Sequence, residues 1–174
     1  RRARNESIPR DHPVARALRA KLRIDKGDLS GALADLDVAI AGPLQSAIFY
    51  RNRAGARRVI RDLDGAMADA TRAIQIRPRY AEAYYERGLA YMEQTEWDRA
   101  IADFTQASLL QPKHVECLLR RGVCFVAKGK THRAIEDIEA GLKGSPDAWP
   151  DRPTYEKLLL KVRTVHEEKA RRSN

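Results

Sequence analysis

Proline recurs at positions 78, 112 and 146, a step of 34 residues, and three other columns keep the same step. Alanine stands at 32, 66, 100 and 134. Aspartate stands at 35, 69, 103 and 137, and arginine at 19, 53, 87 and 121. The stretch from Ala47-Ile48-Phe49-Tyr50 to Pro78 aligns without a gap on the stretch from Ala81-Glu82-Ala83-Tyr84 to Pro112. A period of this size repeats one supersecondary unit, and such a unit covers its apolar face only by stacking on its neighbours.

Inside the period the apolar residues fall at helical spacing. Tyr84, Arg87, Gly88 and Tyr91 share one stripe at i, i+3, i+4 and i+7. A break is expected near Thr95-Glu96, followed by a second stripe of Trp97, Ala100, Ile101, Phe104, Ala107 and Ser108. Small residues at Gly88 and Ala100 allow two helices to approach, and Pro112 sits where the second helix has ended. The composition agrees: aromatics make up only 6%, while alanine, leucine and arginine lose little freedom in a helix.

The third period resembles the tetratricopeptide repeat through Tyr84, Gly88, Tyr91, Ala100, Phe104, Ala107 and Pro112. The fourth is similar through Leu118, Gly122, Phe125, Ala134, Ile138, Gly141 and Pro146. The second keeps Tyr50, Ala54, Ala66, Ala70, Ala73 and Pro78. The first keeps Ala20, Ala32, Leu36 and Ala39, with Arg16 and Arg23 where large apolar residues are expected, as in a degenerate terminal unit. The resemblance implies an all-α fold, an α-solenoid of four helix-turn-helix repeats over 13–46, 47–80, 81–114 and 115–148. Residues 149–174 are expected to form a capping helix and basic tail. Its stripe is Tyr155, Leu158, Leu159, Val162 and Val165, with Asp151 as N-cap. Residues 1–12 and 171–174 read as basic, mobile tails.

The family usually carries leucine where this chain has Arg19, Arg53, Arg87 and Arg121. Asp35, Asp69, Asp103 and Asp137 stand on the second helix of the same unit. One reading is a structural ion pair in each repeat, because a buried charge needs a partner. The other is an arginine ladder for phosphates.

The resemblance implies non-catalytic protein–protein interaction, an adaptor or scaffold whose concave groove takes a partner peptide or helix. The expected groove residues are Arg51, Asn52, Tyr85, Glu86, Leu89, Met92, Leu119 and Arg120. Around them stand Val14, Ala17, Leu18, Lys21, Ile48 and Arg58 on the basic N-terminal side, and Glu82, Glu93 and Glu116 on an acidic middle. A groove of mixed charge with an apolar floor suits an amphipathic helix or an extended peptide. Burial of part of that floor under the C-terminal helix or a neighbouring subunit is the competing expectation. The clamp that grips the acidic carboxylate tail of chaperones is not expected. Asn52 matches it, but Ala17, Lys21, Glu82 and Glu86 replace its other cations and amides.

No catalytic motif is recognisable, so the chain reads as no enzyme and needs no cofactor or metal. His12, His114, His132 and His166 are scattered, and Cys117 and Cys124 match no zinc spacing. Two cysteines seven apart on one helix are too distant to bridge. They fit a reducing intracellular compartment, the cytoplasm first, with an organelle interior also open. The net charge of +9 leaves an alternative: an assembly subunit whose Arg1, Arg2, Arg4, Arg10, Lys157, Lys161, Arg163, Lys169, Arg171 and Arg172 contact RNA or acidic lipid. Exposed aromatics for base stacking are not evident. The chain opens Arg1-Arg2-Ala3-Arg4 with no methionine, which reads as a fragment or a processed form.

Overall fold

A computed structural model describes Pro9 and residues 12–173. The remaining N-terminal residues, with Arg1, Arg2, Arg4 and Arg10, lie outside the described residues. Among the described residues all regular secondary structure is helical. The chain forms two compact units that divide after Pro78. The first holds α1 (Pro13–Asp25), α2 (Leu29–Ala41), α3 (Ala47–Val59) and α4 (Leu63–Ile76). The second holds α5 (Ala81–Glu93), α6 (Trp97–Leu110), α7 (Val115–Ala127), α8 (Thr131–Gly144) and α9 (Arg152–Ser173). Consecutive helices pair as α1–α2, α3–α4, α5–α6 and α7–α8, and α9 packs on α8.

Small side chains set the close approach within each pair. Ala20, Ala32 and Ala39 in the first pair, and Ala100 and Ala107 in the third, have no solvent exposure. A Cβ on Gly88 would lie 2.9 Å from the Phe104 ring, and one on Gly122 would lie 2.7 Å from Ile138. Leu36, Phe104 and Ile138 fill the resulting cores.

The turn inside each pair also keeps the period. Gly27, Arg61, Thr95 and Gly129 all have φ between 61° and 78°. The residue after each sends its N–H back five positions: Asp28 to Arg23 O, Asp62 to Arg57 O, Glu96 to Tyr91 O and Lys130 to Phe125 O, at 2.8–3.0 Å. This is the Schellman closure, which satisfies helix-end carbonyls and requires one left-handed residue. Glycine meets that demand without strain at 27 and 129, whereas Arg61 and the β-branched Thr95 carry it.

The arginine and aspartate columns meet inside each pair. Arg53 Nε and Nη2 donate to the two carboxylate oxygens of Asp69 at 2.7 Å each. Arg87 does the same to Asp103 at 2.7 and 2.8 Å, and Arg121 to Asp137 at 2.7 Å each. Arg19 grips Asp35 through Nε at 2.6 Å and through Nη2. All four aspartates are buried. Arg16 and Arg23 also bond Asp35, at 3.3 and 2.9 Å, and Arg23 reaches Gly31 O at 2.7 Å. The first unit is thus not merely degenerate: arginine replaces the apolar residue and joins the same carboxylate. Arg57 plays the part of Arg23 in the second pair, 3.0 Å from Asp69.

At the C-terminus, residues 171–173 continue α9 and do not form a tail.

Two outcomes follow. Thr95→Gly should raise stability by about 1 kcal/mol, because a left-handed non-glycine residue costs about that much, and Gly129→Ala should lower it similarly. Urea midpoints of both variants check this. The arginines, Arg19 first, hold the Asp35 carboxyl below its ordinary value of 3.8. A depressed carboxylate stabilises the fold above its unfolded pKa, and that contribution fades as pH falls below it. The acid loss of stability should therefore begin below pH ~4 and be smaller in Asp35→Asn, as read by urea midpoints from pH 6 to 2.

Candidate functional site

The first unit holds an open hollow of about 280 Å³ between α1 and α3. Val14, Ala17, Leu18 and Lys21 line it from α1. Ser46, Ile48, Phe49, Arg51 and Asn52 line it from the start of α3. These residues share a wall because Arg19 and Arg53 are turned toward α2 and α4 by their aspartates. The residues just before them, Leu18 and Asn52, are then rotated aside by about 100° of helix. Phe49, Ala17 and Asn52 form a buried floor, while Leu18 and Ile48 remain 59% and 45% exposed. Two large aliphatic side chains beside one cavity form a surface that an apolar group can dehydrate further. Arg51 and Asn52 were expected here. Phe49 and Ser46 were not, although position 46 matches 80 and 114, the residues preceding the later first helices.

Other hollows have a different origin. Those at Gly129–Arg133 and Thr95–Arg99 repeat at the 34-residue step, so they are by-products of the turn.

The second unit carries the other expected groove residues, and they do not form one open floor. Leu89 is buried with Ala100, Phe104 and Cys124, with Tyr85 and Met92 at the edge of that cluster. Leu119 has no exposure. It is packed with Ile138, Leu142 and Tyr155 of α9, and Val123 and Val126 lie against the same cluster with Leu158, Leu159 and Trp149. Trp149 stacks on Tyr155 at 5.5 Å. The expectation that Leu119 faces a partner is therefore corrected. The α9 stripe, which lies outside the period, covers it, and so its truncation would damage the core rather than a groove.

Tyr85, Glu86, Met92 and Arg120 stay half-buried. Tyr85 lies 4.7 Å from the His114 ring and 5.8 Å from Phe104. Burial pushes the Tyr85 hydroxyl pKa up, opposed by the charge and hydrogen bond of Arg120. His114 Nδ1 lies 3.3 Å from Cys117 Sγ and 3.2 Å from Glu116. Burial pushes the Cys117 thiol up to about 12 and the Cys124 thiol up to about 11. At neutral pH both are protonated and poor nucleophiles. Among the described residues no cluster of three or more histidine, cysteine or acidic side chains could hold a metal. No described helix is long and apolar enough to cross a membrane.

The family described as Tetratricopeptide repeat matches residues 85–153, and the one described as TPR repeat matches residues 62–95. The chain belongs to the tetratricopeptide repeat family. Its fold class is the all-α repeat solenoid of that family. Solved structures share the fold. MamA is 24% identical with a TM-score of 0.71, over 78% of this chain and 80% of that one. YrrB, a TPR protein with an unusual peptide-binding site, is 16% identical with a TM-score of 0.67, over 80% and 72%. The first TPR of Spaghetti (RPAP3), bound to an HSP90 peptide, is 20% identical with a TM-score of 0.66, over 71% and 94%. No curated protein matches the chain in sequence.

In this tetratricopeptide repeat protein Leu119→Ala should cost about 2–5 kcal/mol, as for other fully buried leucines. Chemical denaturation reads this directly. A loss under 1 kcal/mol would mean that α9 does not hold the leucine.

Proposed function

We propose that this chain is a non-catalytic interaction module that holds a segment of a partner protein against the inner wall of its first unit. A protein-interaction role accords with the fold, and two of its structural neighbours, YrrB and the first TPR of Spaghetti, bind peptides. The observation that carries the finer reading is the apolar hollow between α1 and α3, with Leu18 and Ile48 exposed beside it. Arg51 and Asn52 belong to this site. Tyr85, Glu86, Met92 and Arg120 are half-buried on the second unit, and Leu89 and Leu119 serve the core.

The physical case is a balance of surfaces. A partner side chain entering the hollow dehydrates both itself and the exposed aliphatic wall, and each well-buried apolar side chain contributes about 1.5–3 kcal/mol. Asn52 on the floor can fix backbone or side-chain groups of the guest by hydrogen bonding, the usual division of labour in a mainly apolar pocket. The helices carrying the wall are anchored by their own ion pairs, so the guest meets a preformed surface and little ordering cost is added.

Selection of binders from a random peptide library displayed between two fused ends tests the reading. Binders should lose at least about tenfold in affinity to Leu18→Ser/Ile48→Ser, one anchor's contribution. Circular dichroism should be unchanged, since both residues lie at the surface. Binders indifferent to the double variant would place the interaction elsewhere.

A further inference from the structure

We infer that the α1–α3 hollow holds its guest as an extended strand, with the N–H and C=O of one guest residue paired to the side-chain amide of Asn52. The inference rests on the groove reading above and adds the form in which the segment is bound.

The fold leaves one amide over. Among the described residues, six polar or charged ones are buried: Asp35, Asn52, Asp69, Asp103, Asp137 and Ser145. The four aspartates are gripped by arginines, and Ser145 donates to Leu142 O at 3.0 Å. The Asn52 side chain bonds no described residue, although Asn52 is only 6% exposed. Neither Oδ1 nor Nδ2 is an atom sealed from solvent without a partner, so both open onto the hollow that the residue lines. A buried amide with no internal partner is uncommon, and it becomes costly once a guest expels the solvent from around it. Helix packing does not call for it either, because Leu18 stands at the same position one period earlier. Ser46 on the same wall is also unspent: it occupies the N-cap of α3 yet makes no cap hydrogen bond through its side chain.

These groups select the form of the guest. A side-chain amide has an acceptor and two donors in one plane. A carboxylate only accepts, so it would leave Oδ1 unmatched. A helix has its main-chain groups committed to its own turns and brings only side chains to the wall. An extended residue directs its N–H and C=O to one edge, where they meet Oδ1 and Nδ2 together. Side chains alternate across such a strand, so an apolar one turns to Leu18 and Ile48 while the main chain faces the amide. An adenine edge could also pair with asparagine. Single strands are held chiefly by stacking, however, and the one aromatic at the hollow, Phe49, is 3% exposed.

The stability of Asn52→Leu tests the unspent amide without any guest. Its urea midpoint should equal or exceed that of the wild type, and a lower one would mean that the amide serves the fold, overturning the inference. The guest is tested with the tightest binder from the displayed library, resynthesised with acetylated and amidated ends. Each of its main-chain amides is replaced in turn by an ester, which removes one N–H donor. One ester should weaken binding to the wild type by about three- to tenfold and leave binding to Asn52→Leu unchanged. Esters that cost the same in both proteins would overturn the extended pairing, as would a binder that Asn52→Leu holds as tightly as the wild type. Loss of that binder in Leu18→Ser/Ile48→Ser would still uphold the groove. Binders indifferent to Leu18→Ser/Ile48→Ser would overturn both. A fluorescent 20-mer of polyadenylate is the nucleic-acid probe, and binding of it that is lost in Asn52→Leu would overturn the inference in favour of a base edge.

Discussion

A carboxylate buried in the second helix of every pair is the constraint on which the rest of the structure depends. Asp35, Asp69, Asp103 and Asp137 are each less than a tenth exposed. An ionised aspartate in that position needs a full complement of donors. The arginine 16 residues earlier supplies two parallel hydrogen bonds from one planar fork. Such a fork works in only one orientation, so it fixes how the first helix is rotated against the second. Replacing a buried ion pair by apolar residues is often neutral or stabilising, because desolvation consumes much of the gain from the pair. What the pair adds is direction. Once Arg19 and Arg53 point at their aspartates, Leu18 and Asn52 have no choice but to look toward the α1–α3 hollow.

The same arginines tie neighbouring pairs together within each unit. Arg53 Nη1 reaches back to Asp37 of the preceding pair, and Arg121 Nη1 reaches back to Thr105, at 2.7 and 2.9 Å. The partners differ in charge, but both stand 16 residues earlier. One side chain thus sets the geometry within a pair and the stacking between pairs, as suits an array whose stability is a sum of units and nearest-neighbour contacts. In the first unit Arg23 and Arg57 extend the theme into the slots that Tyr91 and Phe125 occupy further along the chain. The aromatic slots are closed differently: Arg99 lies 5.6 Å over the Tyr91 ring, and Arg133 lies 5.8 Å over Phe125.

The legible features are those that repeat. Each column of the 34-residue period stands for a contact made once per unit, so the alanines, glycines and prolines place the helices, and the break at Thr95-Glu96 places a turn. Leu119 shows where that logic stops. By period it occupies the position of Tyr85, yet one is fully buried and the other half-exposed. The difference comes from α9, which has no counterpart earlier in the chain. Its stripe announces that it covers something, but the period does not say which side chains lie beneath. Tyr155 and Trp149 decide that through packing. Arg16 and Arg23 mislead for a related reason: judged against an apolar template they look like decay, whereas their worth lies in an aspartate 12 to 19 residues away. His114 is silent in sequence because its role, a ring against Tyr85, exists only once the two helices are packed.

The asymmetry between the first and last pairs is what gives the proposed binding surface its place. At the C-terminal end the inner residues Leu119, Val123 and Val126 are covered within the chain by α9, which removes their apolar area from water and from any guest. In the first unit the corresponding wall keeps Leu18 and Ile48 in contact with solvent. Scattered exposed aliphatic residues are ordinary on a protein surface, but two that flank one concavity over a buried floor are not scattered. Apolar area alone would make such a wall a generic adhesive, for other copies of the chain as well as for partners. Lys21 limits that: a second copy would bring the same positive edge to the contact, and like charges at close range oppose association.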